Sequence, residues 1–176
     1  MWYNFTMSKN VLSADNQQER IISSINPWYV TGFAEGEGTF HIAIYEDKLM
    51  KQRIKIIPEF HVNQSQLRSI TLYSIKEFFN CGYIKVNHRT NLKDDTLVYV
   101  VRNNQDLREK ILPFFEKYPL LSKKQESFKI FSQIVWMMFR KEHLNRAGIR
   151  KIINLSYKMN GNGKYRLIKK EKLLKK

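Results

Sequence analysis

The spacing of hydrophobic and polar positions changes several times along the chain, and each change marks a predicted element. Asn26 and Pro27 are typical of a helix start, because Asn can cap the first turn and Pro is tolerated at the first helical position. Apolar residues then recur either at every second position, which predicts strands, or at helical spacing, which predicts helices. The predicted elements are helix 28–37, strands 39–47 and 53–63, helix 67–79, strands 83–89 and 96–102, and helices 104–118 and 122–139.

This order of elements predicts an α+β fold, in which two β-ribbons form one antiparallel four-stranded sheet with helices on one face. In the first ribbon Phe60 and Val62 alternate with Glu59, His61 and Asn63, so the other face of the sheet is polar. Such a face is usually solvated. Two twisted ribbons can also form a DNA-binding saddle, because the major groove admits a two-stranded ribbon. The lengths are compatible, since a nine-residue strand spans ~30 Å, or about nine base pairs. The side chains predicted to bind DNA are His41, Tyr45, His61, Lys85, Asn87 and Arg89.

The excess of basic residues predicts that the partner of the protein is a polyanion. The chain has 31 Lys and Arg residues against 16 Asp and Glu, a net charge of +15, and residues 140–176 carry +11 of it. That stretch is either a solvated basic tail or an arm that contacts phosphates, and charge alone does not separate DNA, RNA and an anionic membrane. We therefore divide the chain into an N-terminal extension (1–25) of unassigned role, a core (26–140) and a basic C-terminal segment (141–176).

Several other classes of protein are excluded. One cysteine, Cys81, cannot build a disulfide framework or a cysteine zinc site. No apolar run approaches the ~18 residues of a membrane span, so no membrane partner is expected. The first residues lack the layout of a signal peptide. The four histidines lack metal-binding spacing, and neither a Ser-His-Asp signature nor a phosphate-binding loop is present. The sequence thus predicts a soluble, basic, globular protein.

The segment 30–38, VTGFAEGEG, holds three of the chain's seven glycines. In a helix each costs about 1 kcal/mol relative to alanine, which suggests close approach of another backbone. Gly32 and Gly36 are four residues apart and share a helix face, where two helices could touch. The alternative is a glycine-rich turn without further meaning.

Glu37 ends the helix, where free carbonyls and the dipole disfavour an anion. A second Glu37 from a symmetric partner would complete an oxygen site that suits Mg²⁺, which assists phosphodiester hydrolysis.

The segment WYVTGFAEGEGTFHI resembles the motif of the LAGLIDADG homing endonucleases. Further segments resemble that family in the same order, so that the similarity covers nearly everything from residue 26 to 166. The motif occurs once, and family members with one copy act as homodimers. The resemblance therefore implies an αββαββα core and a dimer interface formed by Gly32, Phe33 and Gly36. The further segments are 58–66, 75–87, 101–131 and 157–166.

The resemblance also implies roles for individual residues. Glu37 would bind a divalent metal, Mg²⁺ or Mn²⁺, together with the backbone carbonyl of Gly36, although many members have Asp where this chain has Glu37. Glu35 occupies a position that is usually structural. Supporting catalytic roles fall to Gln64, which ends the second strand, and to Arg68. A lysine before the long helix would stabilise the phosphorane and the leaving group electrostatically. Lys123 and Lys124 are both candidates for it, although an ungapped match to some relatives lands on Ser122.

The expected function is a site-specific double-strand DNA endonuclease encoded by an intron. As a homodimer it would act on a roughly palindromic target on the order of 20 base pairs. Two alternatives use the same fold without cleavage: an intron RNA maturase and a sequence-specific DNA-binding regulator. The composition resembles that of proteins encoded in fungal organellar introns, which implies the mitochondrion as location.

Overall fold

A computed structural model describes residues 25–50, 52–87, 95–161, 166 and 168–174. Of the predicted N-terminal extension only Ile25 lies in these ranges, and Arg89 lies outside them. None of the helices in the described ranges is long and apolar enough to cross a bilayer. The helices and strands are α1 (Pro27–Glu37), β1 (Gly38–Glu46), β2 (Ile54–Ser65), α2 (Ile70–Phe79), β3 (Tyr83–Val86), β4 (Thr96–Val101), α3 (Asn104–Asp106), α4 (Leu112–Lys117), α5 (Lys124–Phe139), α6 (Arg146–Ser156) and α7 (Lys170–Leu174).

The predicted α+β architecture is confirmed. The four strands form one antiparallel sheet in the order β1-β2-β4-β3. In this register Phe40 faces Phe60, and Val62 faces Tyr99, so every second side chain points toward the helices and is buried there. The ring of Phe40 lies at the centre of the core and contacts the rings of four other phenylalanines, Phe60, Phe115, Phe128 and Phe131.

Two predicted helices are less regular than the sequence pattern suggests. The helix predicted over 67–79 begins as a 3₁₀ turn, Gln66–Arg68, before α2 starts at Ile70. The helix predicted over 104–118 contains a π-helical stretch, Leu107–Ile111, between α3 and α4. This stretch ends two residues before Pro113, whose nitrogen has no hydrogen to donate to the preceding turn. The boundaries of the other predicted elements agree within two residues for the part of the chain that is described.

The C-terminal segment differs from the prediction. No helix is predicted after residue 139, yet α6 spans Arg146–Ser156 and buries one face. Its isoleucines, Ile149, Ile152 and Ile153, belong to the same hydrophobic core as the sheet. The core therefore continues past the predicted boundary at residue 140, and a solvated tail is the wrong description of α6. Only one face of the helix is polar, because the basic residues alternate with the isoleucines at helical spacing.

Residues after α6 cover the free edge of β1. The side chain of Asn160 donates to the carbonyl of Phe40 at 2.8 Å, and Arg166 Nη1 donates to the carbonyl of Ile42 at 2.9 Å. A second guanidinium nitrogen, Nη2, donates to the carbonyl of Ser156, which joins the cap to the end of α6. An edge strand with unpaired carbonyls is a template for pairing with other chains. These contacts close that edge.

We expect the substitution Arg166→Ala to lower the free energy of unfolding by about 1–3 kcal/mol, because it leaves the edge carbonyl of Ile42 and the carbonyl of Ser156 without their charged donor. Arg150→Ala is a matched control, since Arg150 is exposed on α6. Urea unfolding of both variants measures the difference. Equal stability of the two variants would contradict a role of Arg166 as an edge cap.

Candidate active site

The helix α1 has clear start and stop signals. Asn26 caps it by accepting from the backbone N–H of Trp28 at 2.8 Å, and Pro27 fills the first turn. At the other end the N–H of Gly38 donates to the carbonyl of Ala34. A Cβ atom at Gly38 would lie 2.6 Å from that carbonyl oxygen, so only glycine allows the chain to turn directly into β1. This turn places Glu37 at the junction of helix and sheet.

One side of α1 is anchored in the protein and the other side is open. Val30, Thr31 and Ala34 are buried, and the Thr31 hydroxyl donates to the carbonyl of Tyr118. On the open side, a Cβ atom built at Gly32 or Gly36 would meet, within 4 Å, no atom of any described residue outside the local turns of α1. Within the described residues, the glycines predicted to allow close approach of a backbone therefore touch no other helix.

Aromatic residues extend this open side of α1. Trp28 is 55% exposed and Tyr29 49% exposed, although both are large and apolar. The half-buried ring of Phe33 stacks on Tyr29 with 6.1 Å between centroids. We call Trp28, Tyr29, Gly32, Phe33 and Gly36 the open face of α1. Contiguous exposed apolar surface of this kind marks interaction sites.

The two acids of the motif have different surroundings. Glu37 is exposed at the end of α1. Glu35 Oε1 accepts hydrogen bonds from the backbone N–H groups of Leu121 and Ser122, the second at 3.0 Å. Partial burial opposes ionisation of Glu35, but these hydrogen bonds outweigh it and lower the pKa of the carboxyl. Glu35 thus ties α1 to the loop before α5, and this geometry agrees with its predicted structural role.

The same loop brings one of the two candidate lysines to α1. Lys124 Nζ donates to the carbonyls of Ala34 at 2.8 Å and Glu35 at 2.6 Å, whereas Lys123 is exposed. The ammonium therefore satisfies carbonyl oxygens in the last turn of α1, where a cation is favoured by the helix dipole. Burial lowers the pKa of Lys124, and the nearby carboxylates of Glu35 and Glu37 oppose that shift.

The sheet register brings Gln64 toward Glu37. Gly38, the first residue of β1, lies opposite Val62 of β2, so the residues after Val62 and before Gly38 share one end of the sheet. There the side-chain oxygen of Gln64 accepts from the N–H of Ser65 at 2.8 Å. Arg68 is exposed in the 3₁₀ turn that follows β2. Both polar residues thus follow the strand end that lies beside the α1–β1 junction.

The DNA-binding residues predicted in the described strands lie on one face of the sheet. We call this the free face, because it is the face turned away from the helices that cover Phe40 and Phe60. His41, Tyr45, His61 and Lys85 occupy alternate strand positions on it, and Asn87 follows β3. His41 is partly buried, which lowers its pKa, as does the charge of nearby Arg166. Arg89 lies outside the described residues.

Two features near these residues were not among the predicted site residues. Glu59 lies on the free face between His41 and His61, and the same alternation that selected the histidines could have selected it. Arg166 approaches the sheet from the C-terminal segment, and no local pattern links it to β1. Within the described residues no three Asp, Glu, His or Cys side chains form a metal cluster. Among the described residues the chain therefore offers Glu37 as an exposed carboxylate at the α1–β1 junction.

Comparison with known proteins gives a consistent result. The family model described as LAGLIDADG endonuclease matches residues 30–135. A 50.9 kDa protein in ND4 intron 1 of Podospora anserina is 32% identical over 127 residues, which cover 71% of this chain and 27% of that protein. The chain thus spans about a quarter of that relative's length.

Two solved structures are similar along most of the chain. The homing endonuclease I-TnaI superposes with a TM-score of 0.73 at 34% identity, covering 86% of this chain and 95% of that one. The second is I-SmaMI bound to an uncleaved DNA target in the presence of calcium ions. It has a TM-score of 0.73 at 31% identity and covers 78% of this chain and 46% of that one.

Proposed function

Because the chain belongs to the LAGLIDADG endonuclease family, we propose that it is a site-specific double-strand DNA endonuclease that works as a homodimer with a divalent cation. The observation that carries this proposal is the position of Glu37. An exposed carboxylate stands where α1 ends, directly beside a helix face that is apolar, glycine-lined and open. Pairing of two such faces would bring two copies of Glu37 together.

The donors at the end of α1 fit a hard divalent cation. Glu37 offers a carboxylate and Gly36 a backbone carbonyl, both oxygen ligands of the kind that Mg²⁺ or Mn²⁺ accepts. When bound, the cation would polarise a phosphate oxygen and neutralise the charge that develops on it. Lys124 holds its ammonium against the last turn of α1, close to Glu37, where it can stabilise negative charge on the phosphate or the leaving oxygen. Gln64 and Arg68 would orient water and phosphate from the end of β2.

The neighbouring lysines provide a matched test of this assignment. We expect Lys124→Ala to reduce the cleavage rate by about 10²–10³-fold, as removal of a preorganised charge does at other active sites. Lys123→Ala should stay within a few-fold of the wild type, because Lys123 is exposed and Nζ of its neighbour makes the contacts to α1. Single-turnover cleavage rates measure both. Equal losses in the two variants would contradict the distinction.

The free face is the proposed DNA-binding surface. Two ribbons side by side carry His41, Tyr45, His61 and Lys85, and a dimer would double this surface about a twofold axis. The target would accordingly be a long and roughly palindromic duplex. Support comes from I-SmaMI, a similar structure described as bound to DNA. The test is Mg²⁺-dependent cleavage of duplex DNA that carries the intron-less insertion site.

A second candidate function, binding of the intron RNA as a maturase, is favoured by α6. Arg150 and Lys151 on the exposed side of this helix, together with Lys158 just after it, line a shallow hollow. Such a surface could neutralise phosphates of a second nucleic acid. A splicing assay on the intron transcript separates the two functions, since the endonuclease needs Glu37 and a maturase does not.

The proposed location is the mitochondrion. This proposal rests on the relative from Podospora anserina, which is described as a protein in intron 1 of ND4, a mitochondrial gene. Detection of the protein in purified mitochondria tests it.

A further inference from the structure

Glu59 is the only acidic side chain at an outward-facing position of the four strands in the described part of the sheet. In register it lies directly opposite His41, and its Oε2 atom is 3.0 Å from Nε2 of His61. Only 13% of its side chain is exposed. The carboxylate therefore lies at the centre of a surface on which the other charged groups are basic.

An acidic residue at this position is unexpected, because it adds negative charge to a surface that is proposed to bind DNA. The hydrogen bond from His61 lowers the pKa of Glu59, and the charges of His41 and Lys85 act in the same direction, although burial opposes them. The carboxylate is thus held ionised. An anion on a DNA-facing surface is repelled by the phosphates. A hydrogen bond from a donor group of the DNA can offset this repulsion. In the major groove, the exocyclic amino groups of cytosine and adenine are the base donors.

The chemistry of the base edges separates these two bases. Adenine places the N7 acceptor beside its N6 amino group, and N7 would repel the second oxygen of a carboxylate. Guanine and thymine present acceptors at the equivalent edge. Cytosine presents its N4 amino group without an adjacent acceptor on the same base, so it is the base that suits a carboxylate.

We propose, on the basis of the DNA-binding function proposed above, that Glu59 is a specificity-determining residue that selects a cytosine in each half of the target. The hydrogen bond with His61 uses Oε2, and we assign Oε1 to the N4 amino group of the base. His61 is a positioning residue, because its hydrogen bond orients the carboxylate. Val100, which is 1% exposed, lies opposite His61 on β4, so an apolar side chain borders this hydrogen bond on one side. An apolar neighbour strengthens a polar contact by lowering the local dielectric.

The experiment is selection of binding sites from randomised double-stranded DNA, without a divalent cation, so that binding is measured apart from cleavage. The wild type should yield a consensus with a cytosine at one symmetric position in each half-site. Replacing that C·G pair in the consensus should weaken binding of the wild type by about tenfold. This measurement requires no change to the protein.

Three variants then assign the cytosine to Glu59. Glu59→Gln should change the preferred base at that position from cytosine to adenine, because an amide can donate to N7 and accept from N6. Glu59→Ala should accept any base there. His61→Ala should weaken the cytosine preference without replacing it. Glu77→Gln removes the same charge from an exposed site on α2, on the helix side, and should leave the consensus unchanged.

The outcomes separate this inference from the proposed function. A clear wild-type consensus that Glu59→Gln and Glu59→Ala leave unaltered at every position would overturn the role of Glu59 and keep the DNA-binding function. Absence of any consensus for the wild type would overturn both. A consensus whose symmetric cytosine is lost in Glu59→Ala, with the remaining positions intact, is the result we expect.

Discussion

Substitution of Glu37 by glutamine should reduce Mg²⁺-dependent cleavage at least 10³-fold. The neutral amide attracts the cation less than a carboxylate does, and it competes poorly with water as a ligand of the cation. Specific DNA binding should change little, since the free face is untouched. The side chain is exposed, so folding should not suffer. Removing an anion from the C-terminal end of a helix also relieves its unfavourable interaction with the dipole. The measurement is a cleavage time course beside a binding titration of the same duplex.

The motif supplies its own control for this experiment. Glu35 is two residues away, and its Oε1 atom serves as an acceptor for two backbone N–H groups. Glutamine keeps an acceptor oxygen, so Glu35→Gln should preserve the loop before α5 and most of the cleavage activity. If Glu37→Gln cleaves at the wild-type rate in Mg²⁺, the assignment of Glu37 as metal ligand is wrong. If both variants lose cleavage equally, the motif acts as a unit and the roles cannot be divided as proposed.

Substitution of Gly32 by glutamine should convert a dimer into a monomer and reduce double-strand cleavage by two or more orders of magnitude. A side chain on the open face of α1 would hold the partner helix away, because glycines are what let two helix backbones approach. The fold of one chain should tolerate the change, since no described residue outside the local turns of α1 comes within 4 Å of the added Cβ. Gln is also the better helix former by somewhat less than ~1 kcal/mol. The free energy of unfolding of the monomer should therefore be maintained or raised.

Sedimentation of the protein, free and on its target duplex, measures this effect. Gly32→Ala adds only a methyl group and should give an intermediate loss of dimer. A general folding defect would not produce a loss that follows the size of the side chain. Leu144→Gln places the same polar side chain at another exposed apolar site, 59% exposed. Leu144 lines the same pocket as Met50. Met50 lies in the turn after β1, which is at the end of that strand opposite to α1. A dimer that survives Gly32→Gln and still cuts both strands would refute the proposed interface.

The strands were predictable because their signal is local. Alternation along 39–47 and 53–63 specifies which side chains face the helices, and β1 and β2 follow those ranges within two residues. The start of α1 was predictable for the same reason, since Asn26 and Pro27 act within one turn. In contrast, α6 escaped prediction. Its isoleucines are spaced for a helix, but the high density of basic residues around them suggested either a solvated tail or a phosphate-contacting arm.

The sequence alone determined the fold class, the faces of the strands and the motif with Glu37 at its end, because alternation, capping and motif residues act over a few neighbouring positions. Only the tertiary structure decided which of two adjacent lysines reaches α1, since neighbouring residues at a helix start point in different directions and the target carbonyls lie 89 and 90 residues away. It also decided that Glu59 faces His41, and that Arg166 closes the edge of β1. Those pairings depend on strand register and on burial of α6, which are settled by contacts between residues far apart in the chain.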